Sequence, residues 1–229
     1  MDAFKMLFRT VEYIYIESCE MESIVDTTGG NHTITFTNLV QLYLQKMSCL
    51  RTICEGPNQY VIFSNLTVLD AYGCKRLINL FSSCIAQSLK KLKKLHLEHC
   101  NELRQIIYED GKILESHNQP ICFPELETIR VHKCRKLEYI FPTSVARDLP
   151  QLESLELDDL PQLKQVFDHE EEGDVRDGNN SSVWPSLKEL QVVNCPKMKL
   201  SFFADLEANV PALGKVILYF IFLVFALFG

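Results

Sequence analysis

Leu92-Lys93-Lys94-Leu95-His96-Leu97-Glu98-His99-Cys100-Asn101-Glu102-Leu103-Arg104-Gln105-Ile106 decides how this chain is read. Its apolar residues stand at the first, fourth, sixth, ninth, twelfth and fifteenth places. The same spacing returns at Leu126, Ile129, Val131, Cys134, Leu137, Ile140 and at Leu152, Leu155, Leu157, Leu160, Leu163, Val166. It is also present at Leu66, Leu69, Ala71, Cys74, Leu77, Leu80 and at Leu39, Leu42, Leu44, Met47, Leu50, Ile53. Val11, Ile14, Ile16 and Cys19 open a first unit that is one residue short after the cysteine, and Leu187, Leu190, Val192, Cys195 and Met198 begin a seventh. The ninth place falls at 19, 47, 74, 100, 134, 160 and 195, in steps of 28, 27, 26, 34, 26 and 35. Two steps carry insertions; the others match a repeat of about 20–29 residues.

Two apolar residues at i and i+2 put both side chains on one face of a short strand. No such strand buries its apolar face alone, so the units must stack. The expected fold is therefore an α/β leucine-rich-repeat solenoid, with a curved parallel β-sheet on the concave face and short helices and loops on the convex face. The array is expected over residues 8–209 in about seven units, with loop insertions at 109–120 and 168–183. Phe63, Phe123 and Trp184 each stand three residues before a unit's first leucine, 60 and 61 residues apart, so paired units alternate in type. In alternate units Ser83 to Leu89 and Ser144 to Leu149 read as short helices with a serine cap.

The chain has 229 residues, 47% hydrophobic and 23% charged, which excludes a disordered class. Its net charge of −7 argues against a dedicated nucleic-acid binder. The start, Met1 to Arg9, has no apolar core of a secretory signal, so a cytoplasmic location and reduced thiols are expected. Five of the nine cysteines (Cys19, Cys74, Cys100, Cys134, Cys195) hold the ninth place of a unit, where a thiol fits as a small hydrophobe with a weak donor. A metal cluster of His96, His99, Cys100, His132 and Cys134 is the competing reading. Periodicity alone accounts for the cysteines, and the spacings match no zinc pattern. No metal or other cofactor is expected.

Phe123-Pro124-Glu125-Leu126-Glu127-Thr128-Ile129-Arg130-Val131-His132-Lys133-Cys134 and Trp184-Pro185-Ser186-Leu187-Lys188-Glu189-Leu190-Gln191-Val192-Val193-Asn194-Cys195 resemble the irregular leucine-rich repeats of plant intracellular NLR disease-resistance receptors of the coiled-coil type. So does Leu152 to Val166, and the resemblance runs from about Phe8 to Phe203. It implies a sensor or autoinhibitory repeat region in defense response, holding a nucleotide-binding switch off until a pathogen effector or host protein binds. The phosphate loop of that switch is absent, so nucleotide binding is not carried over. A fragment or truncated form is expected, which would meet the receptor's other domains only in trans. The alternative is a stand-alone scaffold or substrate adaptor of the F-box type.

In this frame the outward strand positions form a candidate protein-binding face: Tyr13, Tyr15, Tyr43, Tyr72, Lys94, His96, Glu98, Arg130, His132, Glu156 and Asp158. Four of the eight tyrosines are outward strand residues of the first three units, whereas the sixth and seventh present carboxylates, so an aromatic end faces an acidic end. Tyrosine and arginine are common interface anchors. The sequence lacks the G-x-S-x-G, H-E-x-x-H, G-x-G-x-x-G and C-x-x-C patterns, and an open sheet offers no water-excluding pocket, so no enzyme is expected. The insertion from Asp168 to Asp177 carries six carboxylates and reads as a solvated loop.

Residues 210–229 form an apolar tail. Val216 to Phe228 is thirteen residues without a polar break, about 20 Å as a helix against roughly 30 Å of hydrocarbon. Three readings stay open: a membrane anchor with Lys215 at the cytosolic surface, a buried strand or helix closing the array, and sequence read through at the end of a truncated gene product.

Overall fold

A computed structural model describes residues 10–28, 34–56, 61–109, 120–147, 149–168, 184–199, 202–203 and 210–219. Most of each expected insertion, 109–120 and 168–183, lies outside these residues, as does the tail from 220 onward.

The strands run in chain order as β1 (Tyr13–Glu17), β2 (Ser23–Asp26), β3 (Ile34–Thr35), β4 (Gln41–Gln45), β5 (Thr52–Glu55), β6 (Val61–Ile62), β7 (Val68–Tyr72) and β8 (Asn79–Ser82). After helix α1 (Ser83–Ala86) come β9 (Lys94–Glu98), β10 (Gln105–Tyr108), β11 (Thr128–His132), β12 (Tyr139–Phe141), β13 (Ser154–Asp158), β14 (Gln165–Phe167), β15 (Glu189–Val193) and β16 (Lys215–Tyr219). Eight of them form one long sheet in the order β1-β4-β7-β9-β11-β13-β15-β16. Every pair in it is parallel. A second row is built from β2 with β5, β8 with β10, and β12 with β14. The chain is thus a solenoid of parallel strands, as the spacing requires.

The core follows the repeat template place by place. Leu42, Leu44, Leu95, Leu97, Ile129, Val131, Leu155 and Leu157 point in from the long sheet, and all are buried. The twelfth-place leucines, just before the second row, and the fifteenth-place Ile53, Leu80, Ile106, Ile140 and Val166 within it are buried. Each such side chain contributes about 1.5–3 kcal/mol relative to exposure, so the stack is stabilised by recurrence rather than by one centre. The aromatic places form two buried runs: Phe36 stacks on Phe63 at 4.6 Å and Phe63 meets Phe81 at 6.2 Å, and Phe123, Phe141, Phe167, Trp184 and Phe202 make the other at 5.4–6.2 Å.

The chain leaves each long-sheet strand by the same device. Ser18, Lys46, Gly73, His99, Lys133, Asp159 and Asn194 all have positive φ, between 51° and 69°. This left-handed step costs a non-glycine residue about 1–2 kcal/mol. It aims each amide at the last carbonyl of the next strand, as in Lys46 N–H to Tyr72 O at 2.7 Å and Lys133 N–H to Asp158 O at 2.9 Å. One residue later the ninth-place thiols of Cys74, Cys100, Cys134 and Cys195 lie inside, and Cys19 is half-buried. Cys74 Sγ donates to Leu44 O at 3.6 Å, Cys100 Sγ to Ala71 O at 3.6 Å and Cys195 Sγ to Val193 O at 3.3 Å. None of the nine cysteines is in a disulfide. Burial pushes the thiols of Cys54 and Cys195 up to about 11.

The helix expectation needs correction. Ser83–Ala86 is helical, but the cap is Ser82, whose Oγ accepts from the Ile85 amide at 3.3 Å. The segment from Ser144 makes no helix over its described residues. Val145 bridges Ile121 instead, with Ile121 N–H on Ser144 O at 2.9 Å and Ala146 N–H on Ile121 O at 2.7 Å. The β-branched Val145, just after Pro142 and Thr143, favours extended pairing over a one-turn helix.

Lys215–Tyr219 is strand, in register with β15 from Glu189↔Lys215 to Val193↔Tyr219. Asn194 N–H reaches Tyr219 O at 2.8 Å, the same step that links the earlier units. The tail therefore starts as an eighth strand of the array. Of its three readings the strand is what forms here, although it is exposed rather than buried. Among the described residues no helix is long and apolar enough to cross a membrane.

Candidate protein-binding face

The register lays the outward positions of the long sheet into three rows. The first is Tyr13, Gln41, Val68, Lys94, Thr128, Ser154, Glu189, Lys215; the second is Tyr15, Tyr43, Asp70, His96, Arg130, Glu156, Gln191, Ile217. The third is Glu17, Gln45, Tyr72, Glu98, His132, Asp158, Val193, Tyr219. All eleven predicted site residues stand on this one face. Repeat spacing alone determined the frame, because a slip by one would have put these polar groups in the core.

At the aromatic end Tyr13 and Tyr15 are 55% and 48% exposed, yet their neighbours hold them. Tyr13 packs on Tyr43 with ring centroids 5.2 Å apart. Tyr15 Oη donates to Glu17 Oε2 at 3.0 Å, and Lys46 Nζ binds Glu17 Oε1 at 3.0 Å. The Lys46 ammonium and the Tyr15 hydroxyl hold the Glu17 carboxyl below the usual range, and the same bond raises Tyr15. Tyr43 Oη donates to Gln41 Oε1 at 3.2 Å, and burial raises its hydroxyl.

The middle of the face is polar and shallowly hollow. A depression of about 350 Å³ is lined by Gln45, Asp70, Tyr72, His96, Leu97, Glu98, Arg130, His132 and Glu156. Arg130 Nε donates to Glu156 Oε1 at 2.9 Å, and His132 Nε2 lies 3.8 Å from Glu156 Oε2. His96 Nδ1 faces Asp70 Oδ2 at 3.5 Å, and His99 Nε2 faces Glu98 Oε1 at 3.4 Å. His99 also meets the Tyr72 ring edge-on at 5.6 Å. His96 Nε2 and His132 Nε2 are covered and have no hydrogen-bond partner among the described residues. The described residues contain no group of three or more side chains arranged to hold a metal.

The sequence reading missed the far end. Lys215, Ile217 and Tyr219 extend all three rows by one strand. The signal was present, since Leu213, Val216 and Leu218 repeat the first, fourth and sixth places of the template. A continuous apolar run hid the alternation. The tethers on Tyr15 and Tyr43 were also illegible, because Lys46 and Gln41 carry no pattern of their own.

These features define the class: a leucine-rich-repeat solenoid whose long sheet presents tyrosines and charged residues on its outward face. Within that class the chain matches the family described as plant disease resistance protein RPS2-like, leucine-rich repeats, over residues 3–101 and 112–159. The match covers more than half of the chain, which belongs to this family. Comparisons with curated proteins and with solved structures gave no match.

Proposed function

We propose that this chain is a non-enzymatic protein-recognition module acting in plant defense, and that its partner docks on the face formed by β1, β4, β7, β9, β11 and β13. The observation that carries this reading is the pinned aromatic end. Tyr13 and Tyr15 expose about half their surface while contacts with Tyr43, Glu17 and Lys46 restrict them. Large rings already ordered before binding lose little entropy on contact, which is what interface anchors require. A protein ligand, either a pathogen effector or a host protein, fits a surface that crosses several repeats. The receptor's own domains acting in trans would use the same rows. The nine cysteines outside disulfides agree with a reducing, cytoplasmic setting.

The test is recovery of partners from plant tissue with tagged protein. Tyr15→Ser with Tyr43→Ser should remove a discrete set of bound proteins. Lys136→Ala, in the turn between β11 and β12, should retain them. An identical set from both variants would sink the reading.

A further inference from the structure

We propose that the depression at the centre of the face takes a lysine or arginine side chain of the partner, so that the recognised protein presents a basic residue in its contact segment. This rests on the recognition reading above and adds the chemistry of its anchor point.

The argument is one of unbalanced charge. Three carboxylates line the depression, Asp70, Glu98 and Glu156, against one permanent cation, Arg130. Arg130 is already committed to Glu156 at 2.9 Å. Among the described residues the ion-pair partners of Asp70 and Glu98 are the imidazoles of His96 and His99, at 3.5 and 3.4 Å. Neither imidazole is a permanent cation, so among the described residues Asp70 and Glu98 have no lysine or arginine within ion-pair distance. Lys94 stands on the neighbouring row and does not line the depression.

The geometry suits one long cation. Tyr72 lies on the same strand as Asp70, two residues on, and is the register partner of Glu98, so all three are neighbours on one face and line the same depression. An ammonium or guanidinium set beside Tyr72 gains the attraction of the ring face together with two acceptors. These cations carry only donors, which is what a carboxylate-lined hollow can satisfy. The volume, about 350 Å³, admits one such side chain with water and no folded element. A carboxylate or phosphate from the partner would meet like charge here and be repelled.

The test is selection of a random peptide library on the full chain, followed by affinity measurement on synthetic hits. The expected hits carry a required lysine or arginine. Replacing that residue by norleucine or citrulline, or introducing Asp70→Asn or Glu98→Gln into the chain, weakens binding by about tenfold, and added salt weakens it further. Tyr15→Ser reports independently on the face as a whole. Hits that lose binding with Tyr15→Ser but need no basic residue and ignore Asp70→Asn would overturn this inference and leave the recognition reading standing. Hits indifferent to both variants, or no hits, would overturn both.

Discussion

β15 and β16 are neighbours in unbroken register, yet their side chains meet different surroundings. Leu190 and Val192 of β15 are buried, whereas their partners Val216 and Leu218 of β16 are 48% and 45% exposed. The two strands share one register and one backbone linkage, but β15 is hydrogen-bonded on both sides and β16 only by β15. Forming a strand is thus a local matter of spacing and pairing, while burial comes from the turns stacked on both sides. In the interior turns that support is complete; at β16 the described residues supply it from one side.

The comparison is open to attack by mutation. Leu190→Ala should cost about 2–5 kcal/mol in urea unfolding, the range for a buried leucine that leaves a cavity. Leu218→Ala should cost less than about 1 kcal/mol, since half of its side chain already meets water. Equal losses would mean that β16 is as fully packed as β15.

Chemical reactivity sharpens the same contrast. Burial lifts the Cys195 thiol from 9.0 to about 11, so near neutral pH it holds about a hundredfold less thiolate than an ordinary thiol. Alkylation of native protein should therefore modify the half-exposed Cys122 long before Cys195, and denaturant should erase the difference. The sign for stability follows. The folded state keeps the Cys195 proton longer than the unfolded chain, so its contribution is complete below about pH 9 and is lost as pH rises toward 11. A melting temperature that rises across that window in the wild type, relative to Cys195→Ala, would contradict this.

The smallest effect lies at the strand exits. Six of the seven left-handed exits hold a residue other than glycine, and a Cβ on Gly73 would meet Lys46 at an ordinary 3.5 Å. Gly73→Asn should shift stability by less than about 1 kcal/mol. Gly56→Ala is the control, because its Cβ would stand 2.7 Å from Thr27 Oγ1 at a φ of +96°, and it should be clearly worse.

Period and face were legible in the sequence because they repeat. Leu95, Leu97 and Cys100 announce a place in a template, and each further unit confirms the frame, so every outward residue from Tyr13 to Asp158 fell where spacing put it. What does not repeat was harder to see. Whether Ser144 starts a helix depends on Ile121, 23 residues earlier, competing for the same backbone groups. The depression was hidden for a similar reason: its character lies in which carboxylates have permanent cations beside them, and that pairing crosses strands. Asp70, Glu98 and Glu156 are alike in the sequence and differ only through their neighbours.

The most direct test is a display-based scan of all single substitutions, scored separately for folded protein and for binding of a partner recovered with the wild-type chain. Substitutions that spare folding but abolish binding should gather at the outward positions of β1, β4, β7, β9, β11 and β13, with Tyr15, Tyr43, Tyr72 and Asp70 prominent. A binding-specific set concentrated instead on the turns that lead into the second row, at Arg104, Lys136 and Gln162, would contradict the assignment of the long sheet as the recognition surface.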